Sequence, residues 1–113
     1  MNFTHTPRHP FLIISLFCLA LLTGCATSPD PAYDETTAIL NEAHIAYNAK
    51  QYKKVFELLF PLAANGNDKA QYALGYLFYH GLGVQKSDRQ AMHWIQLSAA
   101  QGNRKAIQAL KSE

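Results

Sequence analysis

AANGNDKAQYAL (residues 63–74) and AAQGNRKAIQAL (residues 99–110) are two copies of one pattern: shifted by 36 residues they agree at eight of twelve positions. The agreeing residues are those a helix hairpin requires. Small alanines (Ala63/Ala99, Ala64/Ala100) let two helices approach closely. Gly66 and Gly102 suit the left-handed position that ends a helix, and Asn67 and Asn103 suit the cap that starts the next. Lys69/Lys105, Ala70/Ala106, Ala73/Ala109 and Leu74/Leu110 then begin a new helix with the same inward stripe. The repeating unit is therefore a helix–turn–helix, and the fold class it predicts is all-α.

Outward from this pair, the helical period is legible along the chain. Over Asp68–His80 the residues Ala70, Ala73, Leu74, Leu77 and Phe78 recur at helical spacing, the pattern of an amphipathic helix. GLGV (81–84) interrupts it with two glycines. Ser87 then caps a second helix, with Gln90 at the capping-box position and Ala91, Trp94, Ile95 and Ser98 as its inward stripe. Upstream, Glu35–Asn48 carries Ile39, Ala43, Ala46 and Tyr47 on one side, and Tyr52–Ala64 carries Val55, Leu58, Leu59 and Leu62. Pro61 lies inside that helix and should bend or open its last turn, because it removes a backbone donor. A final helix near Arg104–Lys111 restarts the pattern. The expected body is a short α-solenoid of antiparallel hairpins, about two and a half repeats long.

Residues 70–102, AQYALGYLFYHGLGVQKSDRQAMHWIQLSAAQG, resemble the Sel1-like repeat, a relative of the tetratricopeptide repeat. Ala70, Leu74, Gly75, Gly81, Gly83, Val84, Ala91, Trp94, Ala99, Ala100 and Gly102 all match its pattern. Phe78 replaces the usual tyrosine and Ser87 the usual aspartate, and the helix-linking cysteines of some exported relatives are absent. Residues 35–69 match only at their end and read as a tetratricopeptide-like hairpin. The resulting division is 35–69, a Sel1-like unit at 70–105, and a C-terminal capping helix at 106–113.

The amino-terminal part has a different character. FLIISLFCLALL (11–22) follows a short polar stretch with one arginine. It is shorter than the roughly 20 residues needed to span a bilayer and has the length of a signal-peptide core. Leu22-Thr23-Gly24-Cys25 then resembles the lipobox of bacterial lipoproteins. That resemblance implies a cleaved signal at 1–24, diacylglyceryl and acyl (palmitate-type) modification at Cys25, and a flexible tether over 25–34. Cys18 would leave with the signal, so Cys25 would be the one remaining thiol of an exported chain, which calls for a special explanation. Several acyl chains would anchor stably where one would not. Ala26 following the cysteine favours the outer membrane over inner-membrane retention. The competing reading is an uncleaved anchor or a buried helix with an incidental cysteine.

Composition narrows the function classes. A net charge of +2 with 16% charged residues is no footprint of a nucleic-acid binder. There is no G-x-S-x-G, no glycine-rich phosphate loop and no carboxylate pair on one helix face, so no catalytic residue and no cofactor are expected. His44, His80 and His93 lack the spacing of metal ligands. Phe56 and Phe60 make the helix 52–64 apolar on more than one face, which reads either as burial between neighbouring helices or as a secondary contact patch.

Tyr72, Tyr76 and Tyr79, with His80 beside them, fall within about 80° of one another, roughly opposite Ala70 and Leu77, at 100° per residue. The repeat resemblance implies that the first helix of each hairpin lines a concave groove, with Tyr76 and His80 at positions that vary between members. Tyrosine offers a large rigid contact with a polar tip. The expected function is thus a non-enzymatic, lipid-anchored interaction module or adaptor of the bacterial envelope, facing the periplasm and binding an envelope protein or peptide through Tyr72, Tyr76, Tyr79 and His80. The alternatives are a peptidoglycan or glycan sensor, whose tyrosines stack on sugar rings, and a tethered spacer without a ligand.

Overall fold

Over residues 31–112, the part of the chain that this computed structural model describes, five helices follow one another. They are α1 (Pro31–Asn48), α2 (Tyr52–Ala64), α3 (Asp68–His80), α4 (Asp88–Ala100) and α5 (Arg104–Lys111). No strand occurs among the described residues. Each helix packs chiefly on its neighbours in the chain, most extensively α3 on α4. The export segment, the lipobox and Cys25 lie outside the described residues.

The 36-residue period survives in the helices but is divided differently in the two hairpins. Shifted by one period, the ends of α2 fall on those of α4. α1, however, runs on to Asn48 before a tight turn at 49–51, whereas α3 stops at His80 and needs the longer loop 81–87. The cause is local. α3 is followed by Gly81 and Gly83, both in the left-handed region (φ 66° and 68°), while the same register in the first hairpin holds Ile45 and Tyr47, which continue the helix. The turn after α1 then uses Lys50, at φ 58°, for the role glycine takes elsewhere.

The hairpin junctions read from the repeat are present. Gly66 and Gly102 have φ 96° and 89°. The Ala70 N–H donates to Asn67 Oδ1 at 2.9 Å, and the Lys105 and Ala106 N–H groups donate to Asn103 Oδ1 at 3.1 and 3.2 Å. Three expectations are modified. α1 starts at Pro31, inside the stretch read as tether; proline is well suited to a helix start because its fixed φ and missing donor cost nothing there. The Ser87 capping box is only half formed. The Gln90 N–H donates to Ser87 Oγ at 3.3 Å, but the Ser87 N–H reaches back to the Phe78 carbonyl at 3.0 Å, fastening the loop to α3. Finally, α2 remains a continuous helix through Pro61. Pro61 and Glu57, its missing hydrogen-bond partner, are both exposed, so water can replace the lost bond.

Ala43 and Ala46 of α1, Val55, Leu59 and Ala63 of α2, and Ala70, Leu74 and Leu77 of α3 form one buried cluster. Leu40, rather than Ile39, packs against it from α1. Phe56 is half-buried, stacked on Phe60 (centroids 5.4 Å apart) and edge-on to Phe78 (5.9 Å). Phe60 meets Trp94 edge-on at 6.2 Å yet remains 44% exposed. Burial thus accounts for Phe56 and only partly for Phe60.

A side-chain network sets the first helices side by side. Buried Gln71 donates to the Ala63 carbonyl at 3.1 Å and accepts from Gln101 at 2.8 Å. Ser98, fully buried, donates to the Asp68 carbonyl at 2.7 Å, and Asn103 Nδ2 donates to Asp68 Oδ2 at 2.8 Å. Polar groups buried without partners are expensive; these are paired. They tie the start of α3 to the end of α4 and the start of α5, so the amino-terminal ends of α3 and α5 are held together.

Candidate functional site

A groove of about 640 Å³ runs across the first helices of successive hairpins, with His44 and Tyr47 contributed by α1, Tyr72, Ala73 and Tyr76 by α3, and Arg104 and Lys105 by α5. α3 is its central wall. Its inward stripe is pinned in the core by Ala70, Leu74 and Leu77, so Lys69, Tyr72 and Tyr76, one and two turns apart on the other side, must face the groove.

Aromatic rings continue along one side. Tyr47 packs edge-on against Tyr52 (5.5 Å) and Tyr76 (6.3 Å). Tyr76 lies 4.3 Å from the His80 ring, and His80 meets Tyr79 at 5.0 Å. The Lys86 ammonium sits 5.8 Å from the Tyr79 centroid, within cation–π range. Side-chain hydrogen bonding with the Tyr76 hydroxyl, and then burial, push the Tyr47 phenol above its ordinary value; it is a neutral group at physiological pH.

The four residues expected to form one face, Tyr72, Tyr76, Tyr79 and His80, all line one cleft of about 240 Å³ beside the groove. Tyr72 and Tyr76 line the groove, Tyr72 half-buried and Tyr76 37% exposed. Tyr79 and His80, both exposed, line the cleft but not the groove, and Met92, Ile95 and Leu110 complete the cleft. The side chains of α1 were missed as site residues. Tyr47 reads as inward because it follows Ala43 by one turn, and it is indeed half-buried, but its ring still lines the groove. The matched pair Lys69/Lys105 was a usable signal, since equivalent positions on successive first helices point to the same side of a solenoid.

Among the described residues no three histidine, cysteine, aspartate or glutamate side chains come together as metal ligands, and no helix is long and apolar enough to cross a membrane. The one ion pair among them is Lys54–Glu42 at 2.8 Å, half-exposed, which contributes about 0–1 kcal/mol.

Antiparallel hairpins in a row, with a groove across their first helices, define an α-solenoid interaction module. Residues 68–103, comprising α3, its loop, α4 and the turn into α5, match the model of the Sel1 repeat, whose members generally mediate protein–protein interaction. Over 63 residues the chain is 32% identical to the chitin synthase regulator SKT5 of Saccharomyces cerevisiae. That alignment covers 56% of this chain and 9% of the yeast protein, so the chain spans about a tenth of its relative's length. No solved structure matches the chain.

Proposed function

We propose that this chain is a lipid-anchored, non-enzymatic docking module of the bacterial cell envelope, held by an acylated Cys25 at the outer membrane and presenting its groove to a periplasmic protein partner. The supporting observation for docking is the convergence of Tyr47, Tyr72 and Tyr76 from two helices on one groove. Tyrosines that are already packed lose little conformational freedom on binding.

With a photoreactive residue in place of Tyr76 in the full chain, irradiation in cells gives a discrete protein adduct, resolved by mass, that is absent with the same residue at exposed Gln108. Equal adducts at both positions, or none with the chain exported and folded, would rule out docking through this groove. Retention on purified cell-wall sacculi, weakened by Tyr76→Ala, would instead favour the glycan sensor.

The anchor is tested separately. Metabolic labelling with a palmitate analogue marks the chain, and Cys25→Ser abolishes the label. Label that persists in the variant would exclude Cys25 as the attachment point.

A further inference from the structure

The groove is chemically two-ended. Lys69 lines it from the first turn of α3, and Arg104 and Lys105 line it from the first turn of α5. All three are exposed, and no aspartate or glutamate lines the groove. No carboxylate among the described residues pairs with them, and Asp68, next to Lys69, is engaged by Asn103. At the other end stand Tyr47 and Tyr76. There the groove shares His44, Tyr47, Val55 and Ala73 with an apolar crevice of about 200 Å³, which is also walled by Leu40 and Leu59.

Helix stability does not account for these cations. The α5 dipole disfavours positive charge in its first turn by about 0.3–1 kcal/mol per residue, and Arg104 and Lys105 both sit there without an acidic neighbour in that turn. One period earlier, the position of Arg104 is held by Asp68, the charge the dipole favours. The third first-helix, α5, thus carries, where α3 has a stabilising charge, one that enriches the groove in donors to an anion.

We propose that the occupant of this groove is an acidic segment of the partner protein, its carboxylates against Lys69, Arg104 and Lys105 and an apolar side chain against Tyr47, Tyr76 and the crevice. The proposal rests on the docking role above and specifies its partner. Lys69 and Tyr76 are seven residues apart on α3, about 10 Å at 1.5 Å per residue, a span that about three residues of extended chain cover. A polypeptide alternates charged and apolar groups at that spacing. An anionic glycan or nucleic acid would satisfy the cations and leave the crevice empty.

The test is selection of a phage library of random peptides on the full chain in detergent micelles at low salt. Enriched sequences carry clustered Asp and Glu with an apolar residue about three positions away. Lys69→Glu/Arg104→Glu/Lys105→Glu weakens the best of them by at least about 30-fold, and Tyr76→Ala by about tenfold. Raising the salt from about 0.05 to about 0.5 M, which shortens the reach of exposed charges, weakens it as well. The reversals place acidic residues at helix starts, where the dipole favours them, so the fold is retained; circular dichroism verifies it.

Selection of non-acidic sequences, failure to select any, or binding by the folded triple variant within about twofold of wild type would overturn the proposal. Charge-dependent retention on sacculi without peptide binding would also overturn it and assign the groove to a glycan. A partner crosslinked at Tyr76 in cells but recovered equally by the triple variant would leave docking intact and remove only the acidic segment.

Discussion

Gly83→Ala is expected to lower the thermal midpoint by at least about 12 °C, or to abolish a cooperative transition, whereas Gly66→Ala costs only about 4–8 °C. Both glycines have positive φ, 68° and 96°, and a Cβ in that region is strained by about 1 kcal/mol or more. Their surroundings separate them. A Cβ at Gly83 would lie 2.5 Å from the Tyr52 carbonyl carbon and 2.6 Å from the Lys53 nitrogen, while one at Gly66 meets nothing within 4 Å. Backbone atoms have no rotamer with which to yield, so the α3–α4 loop must lift from the start of α2. The added cost is about 1–3 kcal/mol, bringing the total to about 3 kcal/mol in a small fold with little to spare. Melting followed by helical circular dichroism measures both variants; equal shifts would mean that the loop does not seat on α2 as described. The site is affected too, because Tyr52 at this seat is the ring against which Tyr47 packs.

Leu74→Ala and Leu110→Ala form the second contrast. The two leucines are equivalent in the repeat, yet Leu74 is fully buried between α2 and α4, whereas Leu110 is half-buried on α5, which packs chiefly on α4. Removing Leu74 leaves a cavity in the central cluster and costs about 3 kcal/mol. Removing Leu110 takes less surface out of contact and costs about 1 kcal/mol. Chemical denaturation of the two variants gives the difference directly, as a change in midpoint at unchanged slope. Equal costs would mean that α5 is buried as deeply as α3.

Much of the fold was legible because its determinants are local. The glycine at each hairpin junction, the asparagine cap after it and the alanine–leucine stripe each act within a turn or two, and a period of 36 residues repeats them. Ser87 shows where local reading stops. Its side chain caps α4 as its residue type requires, but its N–H goes to Phe78 across the loop, a partner set by the path of the chain. The tyrosine face shows the same boundary: helical spacing places Tyr72 and Tyr76 on one side of α3, but not which neighbouring helices complete the surface.

The amino-acid sequence by itself therefore determined the all-α class, the hairpin period, the junctions, the core stripe of α3 and the Sel1-like unit, since each depends on residue types at fixed short spacings. Only the tertiary structure decided that Tyr47 joins the groove, that Met92, Ile95 and Leu110 complete a cleft with the four residues of the tyrosine face, and that Lys69, Arg104 and Lys105 line one groove. Those outcomes depend on how successive helices are set against one another, through the close approach of Gly75 to Ile95, the seat of Gly83 on α2 and the Asp68–Ser98–Asn103 bonds. Such contacts join residues far apart in the chain, and no short-range pattern encodes them.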